Sequence, residues 1–301
     1  MTLRYVLLRH AIGEPGELEI TEAEYQALAQ AMLILIELSD VEEKFNAFID
    51  NYFELERSSL EESLRAMIYD DSDIASFLEP RNTMNRRIIN FLTAVKLYLD
   101  TLPQHANKLF PPGKELEDLK AAPSKAYDRS ISYRIVEALR NYSQHEAFPV
   151  HKWEVNSWKD TKVEPILFRT GITPSLNLVT LRASKSFKKT VLAEIETHGG
   201  PTELKPIIRE YVEELCKVQA EFRVATKSMY DRSMGLILEA RDRFVAKFPG
   251  SHVSVAALPV DQQGFKAGNP ISLSAIVVEY LPYLMGRVGS MVNHAWRRVD
   301  Y

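Results

Sequence analysis

The stretch "NTMNRRIINFLTAVKLYLDTL", residues 82–102, decides how the first half of the chain is read. Ile88, Ile89, Leu92, Val95, Leu99 and Leu102 recur at helical spacing, so they form one apolar stripe. Asn82 is a good N-cap, and Pro103 is placed to stop the helix. A stripe this broad must be buried, and the neighbouring segments supply partners. "TEAEYQALAQAMLILIEL" (21–38) opens on Thr21 with Glu24 three residues on, the pattern of a capping box. "DVEEKFNAFIDNYFELERSSLEESLRAMI" (40–68) continues in the same style. In "AYDRSISYRIVEALRNYSQH" (126–145), Ile131, Ile135, Ala138 and Leu139 face a core, and Pro149 closes the helix. The Pro- and Lys-rich "FPPGKELEDLKAAPSK" (110–125) reads as a loop, and "LRYVLL" (3–8) as an edge strand.

The style changes near residue 150. "PVHKWEVNSW" (149–158) and "EPILFRTGITPSLNLVTLRA" (164–183) are β-prone and predict two or three strands, with turns at "TGIT" and "TPS". "SKSFKKTVLAEIETHGG" (184–200) returns to helix and ends on a glycine pair. From Pro201 to about Phe248 the pattern predicts one long helix. Along it Leu204, Ile208, Tyr211, Leu215, Val218, Phe222, Ala225 and Met229 step alternately by four and three. That seam buries against another helix of the chain or against a second copy. "GNPISLSAIVVEYLPYLMGRVGSMVNHAWRRV" (268–299) gives a short β-prone piece and then a helix split at Pro282. The predicted class is mainly α. A helical bundle over residues 1–150 is followed by a smaller α+β accessory domain over 151–301 that contains the long helix.

The 301 residues, 46% hydrophobic and 26% charged, have the composition of a soluble globular protein. No apolar run approaches the ~20 residues that span a bilayer. The opening "MTLRYVLLRHAIGEPGE" is too short in apolar residues for a secretory signal. A single cysteine, Cys216, excludes an internal disulfide, fits a cytoplasmic location, and lies on the long helix as a packing residue. Residues 1–150 carry 16 Lys and Arg against 25 Asp and Glu, a net −9, whereas residues 151–301 carry 21 against 16, a net +5. A polyanionic partner such as RNA would meet the mildly basic second half, where "RASKSFKK" offers Arg182, Lys185, Lys188 and Lys189.

Several chemistries have no motif. There is no glycine-rich phosphate loop and no G-x-S-x-G, and the seven histidines include no i, i+4 pair and no cysteine partner. No metal and no cofactor is expected. "YVLLRHAIGE" (5–14) is similar to the Arg-His-Gly turn of histidine phosphatases. Ala11 replaces the glycine, however, and no alternation of strand and helix follows.

"LRNYSQH" (139–145) carries more. Arg140 is followed by a polar Asn141 and, after a spacer of four, by His145. This resembles the HEPN superfamily, a nucleotide-binding helical domain shared by many prokaryotic ribonucleases, whose signature is Arg, four to six residues, then His. The helix 85–102 looks like the one that packs beside the motif helix in such domains, and the resemblance covers roughly residues 21–150. Arg4 with His10 and Arg287 with His294 fit the spacing too. Arg4 sits in a predicted strand, however, and Val288 follows Arg287 where the family has a polar group. Two residues past His145 stands Ala147, where a subset regulated by nucleotidyl transfer has a tyrosine.

The resemblance implies a metal-independent endoribonuclease, a toxin or phage-defence effector held by a protein regulator, working as a two-fold homodimer. Arg140, Asn141 and His145 would be catalytic, with Tyr142 and Gln144 in support. Helical geometry sets Asn141 and His145 one turn apart on one face, with Arg140 and Gln144 on the adjacent face. A helix C-terminus favours a protonated imidazole, which can transfer protons at a ribose hydroxyl or a leaving oxygen. Two other readings stay open. A HEPN-type module could bind nucleotide or protein without cleaving, or Arg140 could pair with Glu137 or Asp128 while His145 merely ends a helix.

Overall fold

The computed structural model describes residues 3–9, 16–69, 73–162, 164–197, 199–200, 202–249, 255–273, 276–297 and 299. The chain is mainly helical with a small β part, as the hydrophobic periodicity predicts. The elements are β1 (Arg4–Arg9), β2 (Glu17–Ile20), α1 (Glu22–Ile68), α2 (Ile74–Leu109), α3 (Lys114–Arg129) and α4 (Ile131–His145). They continue with β3 (Lys152–Asp160), β4 (Leu167–Ser175), α5 (Leu178–Ala183), α6 (Lys189–Thr197), α7 (Leu204–Lys247), β5 (Val255–Val260), β6 (Ile271–Ser272) and α8 (Leu281–Arg287). Among the described residues no helix is long and apolar enough to cross a membrane.

The chain groups into two compact units, each assembled from three segments. The first holds residues 1–46, 101–117 and 222–289; the second holds 47–100, 118–221 and 290–301. The step in composition near residue 150 therefore falls inside the second unit, just after α4.

In the first unit the strands form an antiparallel sheet in the order β2-β1-β5-β6. β1 was expected at an edge but is interior. Tyr5 pairs with Ile20 on one side and Pro259 on the other. Both faces of the strand are covered, since the consecutive Val6 and Leu7 are both buried, and Val6 packs with Leu258 and Val260. The capping box of α1 forms as predicted: Thr21 N–H donates to Glu24 Oε2 at 2.7 Å and Glu24 N–H to Thr21 Oγ1 at 3.1 Å. His10 and Ala11, the residues compared with a phosphatase turn, lie outside the described residues.

The second unit is built on aromatic packing. Tyr211 of α7 lies 4.6 Å from Tyr133 of α4 and 6.3 Å from Phe91 of α2, centroid to centroid. Phe91 in turn meets Tyr52 of α1, and Phe48 meets Tyr98. Tyr98 donates its hydroxyl to Gln219 Oε1 at 2.8 Å, so the polar end of a buried ring is satisfied. Leu204, Ile208, Tyr211, Leu215, Val218 and Phe222 are all buried within the chain, while Ala225 and Met229 are only half-buried. Cys216 is half-buried on the same helix.

Several local expectations are corrected by tertiary packing. α2 begins before Asn82 and runs through Pro103 to Leu109. Leu102, Ala106 and Phe110 continue the buried stripe; two large side chains buried at about 1.5–3 kcal/mol each offset the ~3 kcal/mol that an interior proline costs. The expected loop 110–125 is mostly α3, because Leu116, Leu119, Ala122 and Ala126 make a buried helical stripe. α4 is separate, capped by Ser130 Oγ accepting from Tyr133 N–H at 3.1 Å. Of the two or three strands expected, β3 and β4 form and pair as a hairpin, but "TGIT" and "TPS", expected as turns, lie inside β4, whose register with β3 runs unbroken from Lys152–Ser175 to Asp160–Leu167. Pro174 is tolerated because a two-stranded sheet leaves one side of each strand unpaired. "LNLVTLRA" contains α5, capped by the Asn177 side chain, and not a strand. Beyond α6, Gly199 has φ at +57°, a left-handed conformation that glycine adopts without strain. His198 and Pro201 lie outside the described residues.

Near residue 294 the second unit carries a buried polar knot. Arg209 grips both Glu56 oxygens at 2.6 Å and donates to the Arg297 carbonyl at 2.9 Å. The Tyr52 hydroxyl donates to Glu56 at 2.7 Å and also meets His294 Nε2. Burial and the nearby Arg209 lower the His294 pKa, so the ring is held neutral. His294, the second half of the competing Arg287 spacing, is thereby engaged in fixing the final segment.

Replacing Phe91 by Ala is expected to destabilise the protein by about 3–5 kcal/mol, the usual cost of deleting a buried aromatic ring. Val224→Ala, at a side chain 78% exposed, should stay within about 0.5 kcal/mol. Thermal and urea unfolding of the two variants checks the contrast; equal effects would mean the aromatic seam is not the core.

Candidate functional site

Arg140, Asn141 and His145 sit on the last turns of α4, inside the second unit. The helix stops at His145 because Glu146 leaves helical geometry while its N–H still bonds the Tyr142 carbonyl at 2.9 Å. The exiting chain is then pinned to α2. Val150 N–H donates to Asn85 Oδ1 at 2.9 Å, and Arg81 Nε donates to the Val150 carbonyl at 3.0 Å.

The four side chains from Arg140 to Ser143 point to different tasks. Arg140 Nη1 pairs with Glu137 Oε2 at 2.8 Å, both groups about 80% buried. The other Glu137 oxygen accepts from the Tyr211 hydroxyl at 2.6 Å. Of the two carboxylates considered as partners for Arg140, Glu137 is the one it meets. Arg140 makes no second ion pair or hydrogen bond among the described residues, so the rest of its five-donor fork is uncommitted. Asn141 Nδ2 donates to the Ser186 carbonyl at 2.6 Å. Ser143 donates back to the Leu139 carbonyl at 2.7 Å.

Tyr142, expected in a supporting role, is 1% exposed and belongs to the core. Its hydroxyl lies 3.0 Å from His151 Nε2, and Asn177 N–H donates to His151 Nδ1 at 3.1 Å. A ring that accepts at Nδ1 carries its proton at Nε2, so His151 donates to Tyr142. Burial and then Arg81 push the His151 pKa down, which keeps that tautomer neutral. Tyr142 supports the motif through packing. Gln144 and His145 are exposed and have no partner among the described residues.

The basic segment of the second half lies against this helix end. Glu146 is the link, and nothing in the sequence pattern signals it. Its Oε2 accepts from Ser184 Oγ and Ser186 Oγ, both at 2.6 Å, and from the Lys185 and Ser186 backbone N–H groups, both at 3.1 Å. Those donors, the two hydroxyls first, hold its carboxyl down to about 2. The motif helix and residues 182–189 are thus one local structure.

The four basic side chains are largely committed inward. Arg182 pairs with Glu196 at 2.6 Å, and Lys189 Nζ caps the Arg182 and Ser184 carbonyls at 2.7 and 2.6 Å. Lys188 donates to the Tyr127 hydroxyl at 2.6 Å and sits 5.0 Å from that ring's centre. Only the Lys185 ammonium of the four has no partner among the described residues.

In the first unit, Glu37, Asp40 and His105 gather oxygen and nitrogen atoms within 4.8 Å of one another. Glu37 is already held by His105 Nδ1 and Lys108 Nζ, each at 2.7 Å. Burial works against its charge, but Lys108 and His105 outweigh it and keep the carboxyl below its usual range. A divalent cation would have to displace that ammonium, so the group fits an internal ion pair better than a metal centre.

The Glu146 geometry makes a direct prediction. The folded carboxyl titrates at about 2, below its unfolded value, so its contribution to docking residues 184–186 is complete above the unfolded value and is lost only as pH falls through about 2. The backbone amide resonances of Lys185 and Ser186 should therefore hold their positions from about pH 5 to about pH 3, where an unpaired glutamate protonates. Glu146→Ala should shift both at neutral pH. A midpoint near 4.5 would disprove the docking.

No family model, no curated protein and no solved structure matches the chain.

Proposed function

We propose that the end of α4 is the active site of a metal-independent endoribonuclease of HEPN type, in a cytoplasmic protein whose substrate is RNA. The observation that carries the reading is the uncommitted chemistry at one helix end. His145 is exposed without a partner among the described residues, Arg140 has donors beyond its Glu137 pair, and Glu146 and Asn141 bind the backbone of residues 185 and 186 to this helix end. General acid–base chemistry needs a titratable group that is reachable, and phosphoryl transfer needs fixed positive charge where negative charge develops. Glu137 fixes the Arg140 fork at one corner, which orients it at low entropic cost.

In this reaction the ribose 2′-hydroxyl attacks the adjacent phosphorus. His145 removes the hydroxyl proton, the bond from phosphorus to the 5′-oxygen breaks, and the leaving oxygen takes a proton from an acid. The products are a 2′,3′-cyclic phosphate and a 5′-hydroxyl. Arg140 offsets the charge on the phosphoryl oxygens, and Asn141 holds the helix end against residue 186. A single imidazole serves one proton transfer at a time, so the proposal includes a two-fold dimer in which His145 of the partner subunit supplies the second. The resemblance alone supports that dimer, because the α7 seam is buried within the chain.

Cleavage of single-stranded RNA in EDTA, with mapping of the product ends, tests the reading. His145→Ala should lower the rate by about 10²–10⁴-fold. Arg140→Ala should lower it by about 10²–10³-fold, and Arg140→Lys should restore part of it, since the charge returns without the fork. Wild-type rates in His145→Ala would refute the site. Products carrying a 5′-phosphate would refute the chemistry.

Sedimentation at micromolar concentration tests the dimer. A two-fold association is expected, with activity per chain falling on dilution below the dissociation constant. A monomer of full specific activity would remove the partner's histidine from the mechanism.

A further inference from the structure

On α2, one face carries Glu79, Asn82, Thr83, Arg86 and Asn90 over the half-buried Ile89. With Phe148 these residues line an open groove of about 520 Å³ in the second unit. None of the five polar side chains makes a hydrogen bond or ion pair with another described residue. This sets them apart from their neighbours on the same helix. Arg81 holds the Val150 carbonyl, Asn85 accepts from Val150 N–H, and Arg87 reaches Ser58 and Glu54. Phe148 is 56% exposed beside them, although the flanking Pro149 and Val150 are buried.

We infer that this groove holds one nucleotide of a single-stranded RNA, its base stacked on Phe148 and its phosphate on Arg86. The inference rests on the ribonuclease reading for its choice of ligand. The chemistry suits an unpaired nucleotide. An aromatic face accepts any base, an unpaired guanidinium fits a phosphate, and two free amides each offer donors and an acceptor to a base edge. Glu79 lies about 10 Å along the helix from Arg86, by the rise per residue, so it repels a phosphate at its own end and accepts from base N–H groups. The volume is within the range of small-ligand pockets. The two walls are fixed in advance by the bonds from Asn85 and Arg81 to Val150.

Position adds a second argument. Phe148 is three residues beyond His145, so their Cα atoms are no more than about 11 Å apart. A strand whose scissile phosphate meets His145 can therefore lay a neighbouring nucleotide in the groove. Binding energy there would act on a nucleotide that does not react, which positions the strand at the reacting bond.

The test is fluorescence anisotropy with a labelled single-stranded 2′-O-methyl oligonucleotide, which cannot be cleaved by 2′-hydroxyl attack. Arg86→Ala and Phe148→Leu are measured beside the wild type, with thermal unfolding to confirm that both exposed positions leave the fold intact. Phe148→Leu, which keeps apolar bulk and removes the ring, should weaken binding by roughly 5- to 100-fold. Arg86→Ala should weaken it and reduce the dependence on salt by about one phosphate contact. Wild-type affinity and salt slope in both variants would overturn the groove, and the cleavage assay would still stand or fall separately. Cleavage without any oligonucleotide binding would also overturn the groove. Groove-dependent binding by a chain that never cuts RNA would sustain the groove and reject the ribonuclease.

Discussion

The Tyr211 hydroxyl has no access to water, and a buried hydroxyl needs a partner. It finds the Glu137 carboxylate, whose second oxygen holds Arg140. Burial and then Glu137 raise the Tyr211 pKa well above its ordinary value, so the phenol stays protonated and must donate. One carboxylate therefore joins the aromatic core to the motif arginine. If Glu137 were lost, Tyr211 would be buried without an acceptor and Arg140 would lose its anchor, so core and site would fail together. A charge pair with both groups about 80% buried is not a strong source of stability in itself, but it fixes direction.

Arg140 is directed in this way while its neighbours are spent on structure. Tyr142 and His151 satisfy each other in the interior, Asn141 ties to Ser186, and Glu146 collects four donors from residues 184–186. Most polar groups of this region have partners, which makes the unsatisfied ones informative. Among the described residues, the side chains of His145, Gln144 and Lys185 near the helix end and the five polar side chains along one face of α2 are without partners. The helix end leads directly into residues 146–150, whose Phe148 lines the α2 groove and whose Val150 is bonded to α2.

α1, α2 and α7 each contribute residues to both compact units, and in the first unit β1 pairs with β5 so that Arg4 stands opposite Val260. Contacts this distant in sequence are costly to close, which is consistent with a core carried mainly by large aromatic and aliphatic side chains.

By itself the sequence determined the helical class, the capping box at Thr21, the buried stripe of α2, the heptad seam of α7 and the β-prone character of the segments after residue 150. Each is a local pattern, repeated often enough that periodicity alone selects the element. The Arg140–Asn141–His145 cluster was legible too, as a spacing on a helix end. Tertiary structure decided where local signals compete with burial: α2 continues through Pro103, α3 replaces a Pro-rich loop, β1 is interior and β4 runs through two turn-like sequences. It also decided which polar groups are spent. Arg182, Lys188 and Lys189 look alike to Lys185 in sequence, yet among the described residues those three have internal partners and Lys185 does not. The reason is physical. Periodicity reports which face of an element is buried, whereas the partner of a charged side chain is set by residues brought close from other elements, and no local pattern encodes those.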